Sequence, residues 1–365
     1  MLPDTIRENQ STIRVLFRLF GLLVAMAGWA APTLAQPEQQ LVPSLQAATP
    51  EQPLEVAVGV AVDQITDINQ KAENLGVVAS LRLEWSDPML AFDAPEHGRD
   101  FKVYTLSAFT SYVDENAILA PGFIIKNQQG RRWSQEASVT VFADGRALYY
   151  ERFSATLQAP DFDFVQYPFD KQRFWVHVES LWPTEYIRFV PLDGFSQLGD
   201  RLGEEEWVFS ATLPETSEVA NDIGMTVSQF SFGFTGSRHL NYYILRLFVP
   251  LFVIILVSWV TFFLKDFGKR VDIAGGNMLI FVAFNFTISG DLPRLGYLTF
   301  MDAIVVSGFA ITGLVVVMNV VFKRLEVIGR ENLARRIDGY AIWSYPAVWG
   351  GLVVLLCWYF FKPIL

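Results

Sequence analysis

Hydrophobic and polar positions divide this chain into two stretches of different rhythm. Across residues 54–241, apolar and polar side chains alternate in short segments such as 77–85, 138–142, 147–153 and 173–178. A period of two turns one face of a strand toward a core and the other toward water. Turn signals punctuate the segments: Ser86-Asp87-Pro88, Ala143-Asp144-Gly145 and Asp193-Gly194. Strands recurring about every ten residues predict an all-β sandwich of immunoglobulin-like type. No helical run of similar strength interrupts it, and 114–119 reads as no more than a short turn.

Across residues 242–365 the alternation gives way to long apolar runs. Four of them, about 242–264, 271–289, 298–322 and 341–361, are long enough to cross a bilayer as helices, which takes about 20 residues. The expected fold is therefore an all-β extracellular sandwich followed by an all-α four-helix transmembrane domain. Arg14 and Arg18 precede an apolar stretch, 19–30, and the small residues of Thr33-Leu34-Ala35. That order predicts an export signal over 1–35, cleaved after Ala35. A Gln- and Pro-rich flexible leader, 36–53, follows.

Basic residues orient the helices. Lys265, Lys269 and Arg270 lie between the first and second runs, and Lys323, Arg324, Arg330, Arg335 and Arg336 between the third and fourth. Only Arg294 lies between the second and third. Positive loops stay cytoplasmic. The sandwich and the C-terminus are expected on the periplasmic or extracellular side of a bacterial inner membrane.

Charge sharpens the division. Residues 36–241 hold 29 acids and 14 bases, a net of −15, whereas 242–365 hold 7 acids and 11 bases, a net of +4. The acidic half concentrates cations and repels nucleic acid. The single cysteine, Cys357, excludes an internal disulfide and a cysteine-based zinc site. His97, His177 and His239 are too scattered to suggest a metal motif. Neither a Gly-rich phosphate loop nor a nucleophile elbow is found, so no enzyme and no cofactor is expected.

The second apolar run stands apart because it carries Asp272, Gly275, Gly276, Asn277, Asn285 and Thr287. Polar groups in hydrocarbon are costly, so this helix is expected to face protein or water. At alternating four- and three-residue spacing, one face reads Asp272, Gly276, Leu279, Ala283, Phe286, Gly290. It starts acidic, narrows through apolar side chains and ends small. That suits a pore lined by copies of one helix, with a hydrophobic constriction as gate. A buried packing helix, its glycines allowing close approach, fits the same periodicity. In the first run, Pro250 removes a backbone hydrogen bond and predicts a kink, and Arg246 is placed to snorkel at the outer interface.

One segment, Phe162-Asp163-Phe164-Val165-Gln166-Tyr167-Pro168-Phe169-Asp170-Lys171-Gln172, resembles the signature loop of the pentameric ligand-gated (Cys-loop) ion channels. Pro160 and Phe174 stand where the animal receptors have cysteines, which is the prokaryotic form. The likeness continues through Leu83-Glu84-Trp85-Ser86-Asp87, Leu90-Ala91-Phe92-Asp93, Asp144-Gly145, Tyr150-Glu151-Arg152-Phe153-Ser154, Arg238, Pro250, Ala283-Phe284-Asn285 and Leu292-Pro293. Within the family the chain most resembles the bacterial proton-gated type.

The resemblance implies a homopentamer in membrane lipid, with the second helix lining a central pore and agonist binding between neighbouring sandwiches. It implies a gating interface of Asp67, Tyr167, Pro168, Phe169, Asp170, Arg238 and Pro293, in which Arg238 meets Asp170 and Asp67 is a second partner. Asp272 is the selectivity candidate for monovalent cations, although Lys269 stands where many cation-selective members have an acid. Leu279, Ala283 and Phe286 are gate candidates. Trp182 and Tyr186 are candidates for a small-agonist site, and Glu73 and His239 for proton sensing; Phe281 replaces the pore-helix histidine of the acid-activated relative. A membrane-anchored periplasmic sensor or binding module without conduction is the alternative.

Overall fold

A computed structural model describes residues 52–203, 205–289 and 295–362, with Ser289 as backbone only. The expected export signal, all but the last two residues of the leader, Gly290 and Pro293 lie outside the described residues.

The alternating half folds into two packed sheets. Its strands are β1 (Leu54–Asn69), β2 (Asn74–Ser86), β3 (Phe101–Tyr104), β4 (Phe123–Ile125), β5 (Gln128–Phe142) and β6 (Arg146–Gln158). They continue with β7 (Lys171–Pro183), β8 (Ile187–Pro191), β9 (Gln197–Leu198), β10 (Trp207–Ala211), β11 (Glu215–Ala220) and β12 (Thr226–Arg238). One sheet has the order β3-β5-β6-β2-β1-β8, with β9 also on β1; the other has β10-β12-β7-β4, with β11 also on β12. Along β6 the buried positions are Ala147, Tyr149, Glu151, Phe153, Ala155 and Leu157, the period of two that the sequence carries. Phe153 from one sheet and Phe174, Phe230, Phe232 and Phe234 from the other fill the space between them. Glu151, the charged member of the buried row, is met by Arg132 Nε at 3.0 Å and Tyr149 Oη at 2.9 Å.

The longest helix in this half escaped the sequence reading, as did a single turn at Ala94–His97. Helix α1 spans Leu106–Glu115, ahead of the turn expected at 114–119. Thr105 caps it, and Phe109 and Val113 point into the core. The Ser- and Thr-rich surface of this helix hides a short apolar stripe at four-residue spacing.

The apolar half forms four helices: α2 (Leu240–Phe263), α3, which spans Phe267–Ser289, α4 (Phe300–Val327) and α5 (Glu331–Phe360). Their ends run past the apolar runs at α3, α4 and α5. Lys, Arg and Glu are good helix formers, so the helix continues after hydrophobicity stops. Thr299 and Asp302 form a capping box that starts α4. Helix α2 is not uniform: residues Ile244–Phe248 form a π turn, and a regular helix resumes at Val249 with Pro250 in its first turn. The expected irregularity at the proline thus takes the form of a widened turn just before it. Pro346 lies inside α5 and cannot donate to the carbonyl of Ile342; Trp259 Nε1 does so from α2 at 2.8 Å.

Candidate functional site

The β-sandwich meets the helices around one buried cation. Arg238 is the last residue of β12, and its side chain is wholly removed from solvent. Its Nε donates to Asp170 Oδ1 at 3.0 Å, Nη1 to Glu206 Oε1 and Tyr243 Oη at 2.9 Å each, and Nη2 to Gln70 Oε1 at 3.0 Å. The guanidinium also lies 4.2 Å from the ring centre of Trp207 and 4.8 Å from that of Tyr167. One side chain thus joins the 162–172 loop, the β1–β2 turn, the start of β10 and α2. Burial alone lowers the proton affinity of Arg238, but Asp170 and Tyr243 raise it by more, so the net shift is upward and the charge is permanent.

Asp170 is fixed from its other side by Gln172, whose Nε2 reaches Asp170 Oδ2 and, at 2.8 Å, the carbonyl of Asp163. Tyr167, in a cis peptide bond to Pro168, packs edge-on against Tyr243 at 5.5 Å. Burial, reinforced by Tyr243, pushes the Tyr167 phenol far above its ordinary range. The tip of the loop enters the helical half. The Phe169 ring lies 6.0 Å from Phe248, 5.9 Å from Phe300 and 5.7 Å from Phe361. Three polar contacts hold it there: Phe300 N to Val165 O at 2.8 Å, Phe164 N to Tyr297 Oη at 3.1 Å, and Gln166 Nε2 to Phe360 O at 3.0 Å.

The other expected members fall differently. Asp67 is exposed on β1, opposite Gly76, and is not among the hydrogen-bond partners of Arg238. Glu73 is exposed in the β1–β2 turn with φ of 50°, and its carbonyl accepts from Ala159 N at 2.8 Å. His239 is exposed and lines a crevice of about 790 Å³ beside Glu206, Tyr242, Arg246 and Pro250. Trp182 is buried, its indole N–H donating to Ala120 O at 3.1 Å, and its ring stacks on Tyr186 at 5.6 Å. The face of Trp182 is therefore not open to a ligand arriving at the protomer surface.

Helix α3 has two opposed faces. Phe267, Arg270, Ala274, Asn277, Phe281 and Ile288 are buried against the other helices. Asn277 is tied to α2, its Nδ2 donating to Ile254 O and Ser258 Oγ at 2.8 Å each. Phe281 fills the space above Gly308 and meets Phe309 edge-on at 5.6 Å. Asp272, Gly276, Leu279, Ala283 and Phe286 lie on the opposite side and are all exposed, Leu279 at 71% and Phe286 at 75%. Asp272 also borders an open groove beside Lys323 and Arg324.

Residues 38–216 match the sequence model of the neurotransmitter-gated ion-channel ligand binding domain. The chain is 26% identical over 315 residues to the proton-gated ion channel of Gloeobacter violaceus, covering 85% of this chain and 84% of that one. It belongs to the pentameric ligand-gated ion channel family. Animal members match too: the glycine receptor subunit beta of Rattus norvegicus is 23% identical over 71% of this chain and 53% of its own length. The glutamate-gated chloride channel of Drosophila melanogaster is 24% identical over 68% of this chain and 54% of its own. The chain spans about half the length of these animal relatives.

For this channel subunit, sequence reasoning named Arg238, Asp170 and Tyr167 but not Glu206, Gln70 or Tyr243 beside them. Glu206 ends the acidic run Glu204-Glu205-Glu206 and reads as a solvated charge. Gln70 reads as a turn residue, and Tyr243 as part of an apolar span. Arg270 reads only as a topology signal, yet it is buried.

Proposed function

We propose that this chain forms a homopentameric, cation-selective channel of a bacterial inner membrane, with α3 lining the pore and acid as the opening signal. The observation that carries the reading is the exposed stripe on α3. In a membrane protein an exposed face meets lipid, a neighbouring subunit or water. A row that holds a carboxylate, a glycine and then Leu279, Ala283 and Phe286 is poor lipid-facing material at its charged end. It is suited to a pore whose apolar rings dewet when closed.

Cation preference rests on Asp272, repeated five times near the inner mouth, and on the −15 outer half above the outer mouth. Lys323, beside Asp272 in the groove, is engaged by Glu326 at 2.8 Å, which limits its opposition.

Opening by acid rests on the 26% identity to a proton-gated channel and on His239 in the crevice between sandwich and helices. Glu206 lines the same space as His239. The link from sandwich to pore runs through the Arg238 cluster and the Phe169 tip.

The experiment is purified protein in liposomes under a salt gradient, with currents recorded from about pH 8 to pH 4, the range that His and carboxylate groups span. Currents that grow with acid and reverse near the cation equilibrium potential are expected. Silence across the range rejects acid opening, and reversal at the chloride potential rejects cation selectivity.

A further inference from the structure

The inner end of α3 is held by a bond between helices that the gating picture does not use. Arg270 is 3% exposed, and its guanidinium makes four hydrogen bonds. Nη1 reaches Asp338 Oδ1 at 2.5 Å and Nη2 reaches Asp338 Oδ2 at 2.9 Å, a two-toothed pair with α5. Nε donates to Leu264 O at 2.6 Å and Nη2 to Phe262 O at 2.7 Å, carbonyls left open where α2 ends. The ring of Phe267 lies 4.8 Å beneath the charge. Three helices therefore converge on one side chain.

Its place on α3 gives this bond its meaning. Arg270 and Asp272 are two residues apart, which is about 200° around a helix. A side chain anchored into the bundle at 270 sends the one at 272 the opposite way. Apolar contacts tolerate rotation of a helix about its axis, whereas a planar fork on a carboxylate has one geometry. Asn277, two turns further along the same face, is the second polar tether. The partner helix adds a consequence. Only 11% of the apolar window of α5 is buried, against 39% for α4, so α5 is the helix least covered by the rest of its own subunit.

We propose that Arg270 and Asp338 are positioning residues for the pore: the pair sets the rotation of α3, and hence the aim of Asp272 and Gly276, and makes that aim answer to the least covered helix, α5. The inference rests on α3 lining the pore.

The test places single cysteines along α3, at Ile273, Gly275, Gly276, Leu279 and Ile280, in full-length channels carrying Cys357→Ser. Modification by a water-soluble methanethiosulfonate is read together with the reversal potential. With the native pair, labelling is confined to 276 and 279. In Asp338→Asn, modification at 276 slows by about tenfold, the scale of a modest coupling energy. New labelling then emerges at 275 or 280, and the reversal potential moves toward zero. Arg270→Lys, which keeps the charge but loses the fork, shifts the pattern in the same sense. If Asp338→Asn does not reach the surface, Asp338→Glu is read instead and the smaller displacement is expected. An unchanged stripe and reversal potential in the variants that reach the surface overturns the proposal and leaves the pair a structural clamp. So does failure of every variant to reach the surface. Absence of labelling at 276 and 279 with the pair intact is a different outcome, because it rejects α3 as the pore lining.

Discussion

Arg238 and Asp170 are 68 positions apart in sequence and share a 3.0 Å hydrogen bond, with side-chain exposures of 0% and 1%. Removing one partner of such a pair leaves a buried charge uncompensated, at a cost of about 3–5 kcal/mol. Asp170→Asn is expected to lower the thermal stability of the detergent-solubilised channel by that order and to abolish opening. Glu206, on the same guanidinium, is 42% exposed, and solvent screens it. Glu206→Gln is expected to cost about 1 kcal/mol or less. Thermal melts of the two variants side by side check the order; equal losses would mean that burial does not grade the partners of Arg238.

On the proposed pore reading, Phe286→Ala widens the narrowest apolar ring. Spontaneous current or higher agonist sensitivity is expected, recorded at unchanged surface expression. Asp272→Asn removes the inner acid ring and is expected to move the reversal potential toward zero without altering assembly, since Asp272 lies on the exposed face. If both variants behave like the parent channel, the stripe faces something other than the permeation path.

His177 lies on β7 opposite Ser231 of β12, with Nδ1 2.8 Å from Ser231 Oγ and 3.3 Å from Gln229 Nε2. Burial lowers its pKa below 6.5, and Asp161 and Glu215 counter this only in part. As pH falls below that value the unfolded chain takes up the proton first. Stability present above pH 6.5 is therefore lost as pH falls through the lower folded value. Melting temperature is expected to drop across this window, and His177→Gln to flatten the drop. A variant whose pH profile overlays the parent's would assign the acid sensitivity to other groups.

Two glycines of the helical half should answer oppositely to alanine. A Cβ on Gly308 would come within 3.2 Å of the Phe281 ring on α3 and 3.3 Å of Ile255 on α2, so these side chains must yield by a few tenths of an ångström. Gly308→Ala is expected to destabilise by about 1–3 kcal/mol. A Cβ on Gly276 meets nothing within 4 Å, and alanine there gains up to about 1 kcal/mol of helix propensity. Gly276→Ala should fold at least as well as the parent and reveal its effect in conductance. Melts and single-channel records separate the two.

The parts of this fold most legible in the sequence are those governed by local pattern. Four apolar runs became four helices, and the alternation across 54–241 became two sheets. What escaped depends on partners far along the chain. Trp182, a small-agonist candidate by its sequence, has its N–H taken by Ala120, 62 positions away, a contact that no local pattern carries. Arg270 reads as a loop cation until Asp338, 68 positions away, closes on it. Helix ends were misplaced for another reason: hydropathy reports where lipid could begin, whereas caps such as Thr299 and charged helix formers decide where the coil stops. The junction was half legible, because Asp170 and Arg238 are marked by resemblance but Gln70 and Glu206 are ordinary polar residues in turns.

The π turn at Ile244–Phe248 has a bearing on how this chain tolerates change in length. It holds one residue more than a regular turn needs, so everything before it is indexed about 100° away from where an unbroken helix would carry it. Tyr243, which reaches Arg238, owes its heading to that surplus residue. Deleting one residue inside the turn would straighten the helix and swing Tyr243 off the arginine. The same deletion made below Pro250 would leave the tyrosine aimed as it is and disturb the membrane bundle instead.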